Sequence, residues 1–530
     1  MSPFAPYVLS DVALAALGAG RPAPGTLALL RRAQLSRHLL LLREIAAADP
    51  GAAEPYAELA AAEHADPTAV RRLLARPMVG LWAADCLTRL RAGTPAAQAG
   101  VARLAELAAH ARSGPGTPNG PRHTRPPAHA GARTADRSAG LDPPGRLLRA
   151  THDGLTLTVH LEDGDPARSG FGLVPVEPLS DAEAAHWGDC LTHAWRQLVT
   201  RHRDAAETLA AVLGCVVPVQ PDPAARGISA TSTHAYGAVA MSTPADPAAL
   251  AVGLIHETQH SILNAVRYLF ELHTGPQTPG YSPWRDDPRP PSGLLHGAYA
   301  YLAVTRFWRA EPGRAARFEF ARWRAAVADA ARRLLASGGL TAAGARFVAA
   351  LQAEVTPWLS EPVPADVARL AAGANTDHRV RWRLRNLTVE PAAAAALADA
   401  WRRTLPPPPL PAAVPRPAGS RALESSARLD LAHQRCRAED SAEAATGDAA
   451  TLPGATAADL AYVRGDTDVA RRAYAEAVRS DPGGHDAWSG LALVCDPPAL
   501  RERPEVVVAA FRALGDSSAD PVTFATWVNS

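Results

Sequence analysis

The stretch GLIHETQHSILNAV, residues 253–266, carries two histidines four residues apart, with a glutamate directly after the first. Four residues of an α-helix advance by about 400° and 6 Å, so His256 and His260 would lie on one face and could chelate one metal ion. Glu257 would lie about 100° from that line. There it could act as a catalytic residue that polarises a bound water or orients a substrate. The alternative is a surface helix that happens to carry two histidines.

Two imidazoles leave a divalent ion incompletely coordinated, so a further ligand is required. The short metzincin extension does not fit, because Leu263 and Val266 occupy the positions of its glycine and histidine. The glutamate that gluzincins carry on their next helix is missing from HGAYAYLAVTRFWRA. That segment instead begins with His296, 36 residues after His260. We expect His296 to be the third metal ligand.

Two other kinds of residue compete with His296 for that role. Asp286 and Asp287 precede it by a few residues and could supply a carboxylate ligand. His273 is nearer to the motif in sequence, but we expect it at the frayed end of the same helix, where it would act as a capping residue. The ligand set expected from the sequence is therefore His256, His260 and His296, with the two aspartates as alternatives.

Two arginines, Arg285 and Arg289, lie within a dozen residues of His296. A guanidinium fork is the natural partner of a carboxylate, and a 2-oxoglutarate-dependent oxygenase needs such an anchor for its co-substrate, whereas a protease does not. The alternative is that each arginine pairs with Asp286 or Asp287 in a solvated loop.

The elements that would position these residues can be read along the chain. Asp246 as N-cap and Pro247 as the first residue predict the start of the HETQH helix, and Gly275 predicts its end, giving a helix over 247–274. Alternating apolar residues around an Asp-Gly turn in LLRATHDGLTLTVHLEDG predict a hairpin. CVVPV and YGAVAMST predict strands, and after a proline-rich loop a second helix is expected to begin at His296.

Proline- and glycine-rich segments divide the chain into five predicted regions. They are a helical N-terminal region (1–112), a disordered linker (113–145), a metal-binding catalytic domain (146–404), a proline-rich linker (405–420) and a helical C-terminal domain (421–530). In the last, Gly465, Ala470, Tyr474, Ala477 and Pro482 follow the tetratricopeptide (TPR) pattern, although a plain helical hairpin would also fit. The predicted fold class is α+β and predominantly helical, with a zincin-like HExxH helix beside a small sheet and helical regions on either side.

Composition excludes some classes of partner. The 54 basic residues are all arginine, and they nearly balance the acidic ones at a net charge of +1, so we expect no nucleic-acid partner. The five cysteines are odd in number and form no CxxC pair, which is typical of a reducing compartment. No segment approaches eighteen apolar residues, so we expect no membrane association. The sequence therefore predicts a cytoplasmic protein.

The HExxH motif, the segment WRDDPRPPSGLLHG and the aromatic helix that follows resemble the HExxH-containing peptide-modification family found beside precursors of ribosomally made peptides. The resemblance covers about residues 147–401. It implies an iron(II)- and 2-oxoglutarate-dependent dioxygenase that hydroxylates the β-carbon of a side chain in a precursor peptide. His256, His260 and His296 would then hold iron, and Arg285 or Arg289 would hold 2-oxoglutarate.

Two other functions remain open. One is a zinc endopeptidase in which Glu257 is the general base. The other is a non-catalytic scaffold that binds peptides through its helical modules. For the hydroxylase, we expect the strand YGAVAMST to pair with an extended peptide and to present its side chain to the metal.

Overall fold

The computed structural model describes residues 6–94, 97–113, 146–222, 227–416, 426–438, 452–516 and 518–530. Helices predominate, and the strands form one mixed sheet and two small two-stranded sheets, which confirms a predominantly helical α+β protein. Nearly all of the predicted linker 113–145 lies outside the described residues. The chain forms two compact units, one comprising Met1–Leu17 and Arg21–Glu271, the other Gly18–Gly20 and Leu272–Ser530.

The first unit begins with helices, as predicted for the N-terminal region. Its helices and strands are α1 (Asp11–Gly18), α2 (Pro24–Ala48), α3 (Ala53–Ala65), α4 (Pro67–Leu74), α5 (Pro77–Arg91), α6 (Ala97–Ser113), β1 (Arg146–His152), β2 (Leu155–Leu161), α7 (Asp181–Arg201), α8 (Arg203–Val212), β3 (Cys215–Val219), β4 (Ser229–Ala230), β5 (Ala238–Ser242) and α9 (Pro247–Leu269). Four of these helices, α2, α4, α5 and α9, begin with a proline, at a position where the missing amide hydrogen costs no hydrogen bond.

The mixed sheet of this unit has the strand order β1-β2-β3-β5-β4. The predicted hairpin is present, because Asp153 and Gly154 both adopt positive φ angles and join β1 to β2 in an antiparallel pair. Strands β2, β3 and β5 run parallel, and β4 pairs antiparallel with β5. Every residue of β3 and β5 is buried. Strand β5 is therefore internal, with a neighbour on each side.

Helix α9 carries the HETQH motif and begins as predicted. The Asp246 side chain accepts a hydrogen bond from the amide of Ala249 at 2.8 Å, and Pro247 is the first helical residue. The predicted end is wrong, because the helix stops at Leu269 and Phe270 is extended. The chain that follows instead belongs to the second unit, where the amides of Thr274 and Gly275 donate to the carbonyl of Gly339. A long-range pairing thus ends the helix five residues early.

The second unit is built mainly of helices. Its helices and strands are β6 (Gly280–Ser282), β7 (Arg285–Arg289), α10 (Pro291–Ala310), α11 (Arg314–Ala336), α12 (Ala342–Val355), α13 (Ala365–Asn386), β8 (Leu387–Thr388), α14 (Pro391–Arg402), β9 (Val414–Pro415), α15 (Ala427–Ala438), α16 (Ala457–Arg464), α17 (Thr467–Ser480), α18 (His485–Val494), α19 (Ala499–Glu502), α20 (Pro504–Leu514) and α21 (Pro521–Val528).

The segment expected to be a proline-rich loop forms the hairpin β6–β7. Helix α10 then begins at Pro291 and not at His296, because Pro290 is extended and Pro291 supplies the fixed φ that suits the first helical position. His296 therefore lies inside the helix. The Trp284 ring between the strands packs on the α10 backbone, since a Cβ on Gly297 would lie 1.8 Å from its Nε1.

The predicted proline-rich linker is structured where it is described. Val414 and Pro415 pair with Thr388 and Leu387, and the carbonyl of Leu405 accepts a hydrogen bond from Trp527 Nε1 at 2.9 Å. Beyond it, α16 ends at Gly465 with a positive φ, and the residues of the repeat pattern that are buried include Ala470 and Tyr474. The region is helical, and its TPR-like assignment stays a prediction.

A cluster around Arg428 joins the C-terminal helices of the second unit. Its guanidinium donates to Asp377, to Asp459 Oδ1 at 2.9 Å and to Ser489 Oγ at 3.2 Å. Tyr474 also donates to Asp459, at 2.6 Å. Arg428 and the two aspartates are almost fully buried, so the charges compensate one another away from water. We call these residues the Arg428 cluster.

The compact units group the chain differently from the predicted domains. The division at Leu272 falls inside the predicted catalytic domain 146–404, and the C-terminal helices share one apolar core with residues of α11 and α13. The domain boundaries stay predictions. Among the helices of the described residues, none combines the length and apolarity that crossing a membrane requires.

Candidate metal centre

His256 and His260 lie one turn apart on α9, as the sequence predicts. Their Nε2 atoms are 3.0 Å apart, and the rings meet edge to face. With metal–nitrogen bonds of about 2.0–2.1 Å, two imidazole nitrogens on one ion lie about 2.9–3.4 Å apart. The two nitrogens therefore already have the separation that a shared ion needs. Without an ion, the same distance suits a hydrogen bond between a protonated and an unprotonated nitrogen.

Burial favours the form of histidine that binds metals. His256 loses hydration in the unit, and this lowers its pKa to about 4. The ring is therefore neutral at physiological pH and offers a lone pair without first releasing a proton. A neutral imidazole is the form in which histidine coordinates metal ions.

Glu257 is buried, with 3% of its side chain exposed, and lies beside the two histidines. Its Oε1 accepts a hydrogen bond from Ser229 Oγ at 2.6 Å and lies 3.9 Å from His256 Nε2. Its Oε2 has no hydrogen-bond partner among the described residues. Burial raises the pKa of Glu257 to about 7, although hydrogen bonds from Ser229 and Thr231 act in the opposite direction. A carboxyl group with this pKa can either take up or release a proton near neutral pH.

The mixed sheet holds this part of α9 in place. Ser229 belongs to the end strand β4, which brings its hydroxyl to Glu257. The amide of Gly237, just before β5, donates to Ser261 Oγ at 2.8 Å, one residue after His260. Gly237 has a φ of 82°, and a Cβ there would lie 2.4 Å from the carbonyl oxygen of Val212. Only glycine allows this close approach between the loop before β5 and the end of α8.

These three side chains fit a divalent metal ion. One ligand atom from each of His256, Glu257 and His260 lies within 4.8 Å of the others. Two imidazoles with a nearby carboxylate suit iron(II) or zinc equally well, so the arrangement alone does not choose between them. The unpartnered Oε2 of Glu257 gives the group a further polar atom that a bound ion, water or substrate could engage.

The other predicted site residues belong to the second unit. His296 lies on α10 and is partly buried. Arg285 Nε donates to Asp287 Oδ1 at 2.9 Å, and Arg289 Nε lies 3.0 Å from Asp287 Oδ2. Both arginines therefore contact the aspartate between them, which is the alternative considered from the sequence. Their assignment to 2-oxoglutarate, and that of His296 to the metal, stay predictions.

The aspartates that could replace His296 also have partners within the second unit. Asp287 is shared by the two arginines, and Asp286 Oδ1 lies 3.6 Å from His378 Nε2. His273, expected to cap α9, instead lies beyond its end and forms an isolated bridge with Leu340. Its predicted capping role is wrong because the helix ends at Leu269.

Sequence reasoning does not single out Ser229 and Thr231, although both act on Glu257. Their only signal is a run of small hydroxyl residues, ISATST, before a strand. The expected pairing of an extended peptide with YGAVAMST is also wrong, because β3 and β4 already flank β5. The end strand of the sheet on this side is β4.

No protein-family model matches the chain, and no curated protein is significantly similar to it.

Proposed function

We propose that this protein is an iron(II)- and 2-oxoglutarate-dependent enzyme that hydroxylates the β-carbon of a side chain in a ribosomally synthesised precursor peptide. The observation that carries the metal part of the proposal is the 3.0 Å separation of His256 Nε2 and His260 Nε2 beside the buried carboxyl group of Glu257. The reaction class follows the sequence resemblance. The reaction would take place in the cytoplasm, where such a peptide is first available.

His256 and His260 would hold the ion, and His296 is the expected third ligand. The iron would supply the oxidising chemistry: one atom of dioxygen enters the carbon–hydrogen bond, and the other enters succinate as 2-oxoglutarate loses carbon dioxide. Arg285 or Arg289 would bind the distal carboxylate of 2-oxoglutarate, which requires exchanging Asp287 for that carboxylate. Glu257 would orient a water or a peptide group through its unpartnered Oε2.

Strand β4 offers a place for the peptide. It is the end strand of the mixed sheet, and an extended peptide can add to such an edge through main-chain hydrogen bonds. Ser229 on this strand donates to Glu257. A peptide strand beside β4 would therefore lie close to the carboxyl group that adjoins the two histidines.

A zinc endopeptidase is the second candidate, and the environment of Glu257 favours it. A general base in an HExxH site must accept a proton from a metal-bound water, and a pKa of about 7 suits that task at neutral pH. In that reaction, water is added across a peptide bond. A non-catalytic scaffold is the third possibility, and it would need no bound metal.

Metal analysis and product mass separate the three functions. We expect anaerobically purified protein to bind iron(II), and we expect His256→Ala and His260→Ala to lose it while keeping their helical content. His193→Ala, an exposed histidine of α7, is the control. Full metal occupancy in His296→Ala would remove that residue from the ligand set.

The product test uses a candidate peptide encoded beside the gene, with iron(II), 2-oxoglutarate and air. A hydroxylase returns one intact peptide heavier by about 16 Da, the mass of one oxygen atom, and the label from ¹⁸O₂ appears in it. Peptide fragments formed without 2-oxoglutarate, and absent with Glu257→Gln, would establish the peptidase instead. A protein that binds no metal and leaves the peptide unchanged would be a scaffold.

A further inference from the structure

The distance between Glu257 Oε1 and His256 Nε2 does not match that of two ligands of one ion. The two atoms are 3.9 Å apart. With metal–ligand bonds of about 2.0–2.2 Å, a nitrogen and an oxygen lie about 2.8–3.5 Å apart on neighbouring positions of an ion and about 4.0–4.3 Å apart on opposite positions. His260 Nε2, by contrast, is 3.0 Å from His256 Nε2. The two histidines therefore suit a shared ion, whereas this oxygen of Glu257 lies outside its coordination.

The hydroxyl of Ser229 holds Glu257 Oε1 in this position. Ser229 Oγ donates to Oε1 at 2.6 Å, a length typical of a hydrogen bond from a hydroxyl to a carboxylate. Thr231, two residues further along, also donates to the carboxyl group. A displacement of Oε1 lengthens or bends the short bond to Ser229, so this bond opposes a movement of the oxygen toward the ion.

The backbone that carries Ser229 is itself fixed. Ser229 lies opposite Met241 in the antiparallel pair of β4 and β5, and β5 is fully buried. Just before Ser229, the amide of Ile228 donates to Ser242 Oγ at 3.2 Å, and the amide of Ser242 donates to the carbonyl of Ile228 at 2.9 Å. The hydroxyl is therefore presented to Glu257 by a hydrogen-bonded strand end and not by a loose loop.

The second oxygen of Glu257 stays available for chemistry. Oε2 is buried and has no hydrogen-bond partner among the described residues. A buried polar atom without a partner is costly, which favours its use by a water or a substrate group. If the carboxylate bound the ion instead, it would fill a coordination position that a catalytic site must keep open.

We infer that Ser229 is a positioning residue that keeps the Glu257 carboxylate outside the coordination of the metal ion, so that Glu257 acts on a water or a peptide group. The inference rests on the metal-binding part of the proposed function. It applies to the hydroxylase and to the peptidase alike, because each needs an open position on its ion. Without the Ser229 hydroxyl, the carboxylate turns toward the ion and becomes a ligand.

The test is a cycle of substitutions in the full-length protein, with the dissociation constant of cobalt(II) as the readout. Cobalt(II) accepts the same nitrogen and oxygen ligands as iron(II) and zinc, and it is titrated into metal-free protein by calorimetry. In the unaltered protein, Glu257→Gln should change this constant by less than about threefold, because no ligand is lost. In Ser229→Ala, the same substitution should weaken cobalt binding by at least about tenfold, because a carboxylate ligand is then lost.

The single substitution Ser229→Ala distinguishes positioning from mere support of the site. We expect it to bind cobalt at least as tightly as the unaltered protein, since it gains a ligand. Removal of a residue that only supports a metal site typically weakens metal binding by about 10–100-fold, so a structural role predicts the opposite. Turnover of the peptide should fall in Ser229→Ala, because Glu257 is withdrawn from its task.

Two further variants serve as controls. Ser229→Thr keeps the hydroxyl and should behave like the unaltered protein in every arm of the cycle. Ser232→Ala is the matched control, because Ser232 lies in the same run of hydroxyl residues and its Oγ accepts from the amide of His234 at 3.3 Å. Thr231→Val removes the second donor to Glu257 and should act in the same direction as Ser229→Ala, which keeps the test decisive if that variant does not fold.

Three outcomes would overturn the inference. They are an equal effect of Glu257→Gln with and without the Ser229 hydroxyl, a tenfold or greater loss of cobalt affinity in Ser229→Ala at unchanged helical content, and the absence of cobalt binding by the unaltered protein. Failure of the proposed reaction is distinguishable from these. In that case the peptide would gain no oxygen, while Glu257→Gln would still weaken cobalt binding only where the Ser229 hydroxyl is missing.

Discussion

Two buried groups of charged side chains differ in how completely their polar atoms are paired. In the Arg428 cluster, the guanidinium reaches two carboxylates, a hydroxyl and a main-chain carbonyl, and Tyr474 completes the coordination of Asp459. In the metal centre, one oxygen of Glu257 has no hydrogen-bond partner among the described residues. Full pairing is what a structural cluster needs. A binding site, by contrast, needs a polar atom that is still available to a ligand.

The largest expected effect is on the Arg428 cluster. Arg428→Met leaves Asp377 and Asp459 buried without their cation, and should lower the free energy of unfolding by about 3–5 kcal/mol. Urea denaturation followed by circular dichroism measures it. Arg471→Met is the control, because this exposed arginine pairs with Asp468 of its own helix and should change stability by under about 0.5 kcal/mol. If Arg428→Met lowered the free energy of unfolding by less than about 1 kcal/mol, the Arg428 cluster would not have the structural role assigned to it.

The second effect concerns His38 on α2, which is buried and paired on one side only. Its Nδ1 lies 2.8 Å from the carbonyl of Leu74, its Nε2 has no partner among the described residues, and burial lowers its pKa to about 4. The pKa of His38 is lower in the folded protein than in the unfolded chain. The contribution of neutral His38 to the free energy of unfolding is therefore fully present above about pH 6.5, and it is lost as the pH falls through 4. The loss approaches about 3 kcal/mol.

Comparing the pH dependence of unfolding with and without the imidazole tests this effect. We expect the stability of the unaltered protein to fall relative to that of His38→Gln by about 3 kcal/mol between pH 7 and pH 4. His64→Gln is the control, since His64 also contacts a main-chain carbonyl but is exposed. Parallel curves for the unaltered protein and His38→Gln would contradict the prediction.

The smallest effect is expected at the metal centre itself. Glu257→Gln in metal-free protein should change the free energy of unfolding by less than about 1 kcal/mol at pH 7. The reason is that only one oxygen of Glu257 is hydrogen-bonded and the carboxyl group is only partly ionised at this pH, so the substitution removes little interaction energy. Glu505 is the matched contrast: it is equally buried and accepts two hydrogen bonds from Arg383, at 2.8 and 2.6 Å. Glu505→Gln should cost about 2–3 kcal/mol. If both substitutions lowered the free energy of unfolding equally, the difference between fully and partly hydrogen-bonded carboxylates would have no effect on stability.

Sequence reasoning succeeds where a structure is decided locally. The start of α9 depends on Asp246 and Pro247, and the β1–β2 hairpin on Asp153 and Gly154, so neighbouring residues determine both. The same is true of the one-turn spacing that brings His256 to His260. Helical periodicity alone fixes that pair.

It fails where partners come from far along the chain. The end of α9 depends on hydrogen bonds between residues near 274 and Gly339. The β6–β7 hairpin shows no alternation of apolar residues and is accompanied by ion pairs to Asp287, so its sequence looks like a loop.

The Arg428 cluster also bears on the time course of folding. Arg428 is 51 residues from Asp377, 31 from Asp459 and 61 from Ser489, so each contact closes a long loop. Helices α13, α15, α16 and α18 can form from local contacts before these loops close. The cluster would then assemble late, after the rate-limiting barrier. Contacts of that kind change the folding rate little, and they set how long the native state persists before it opens.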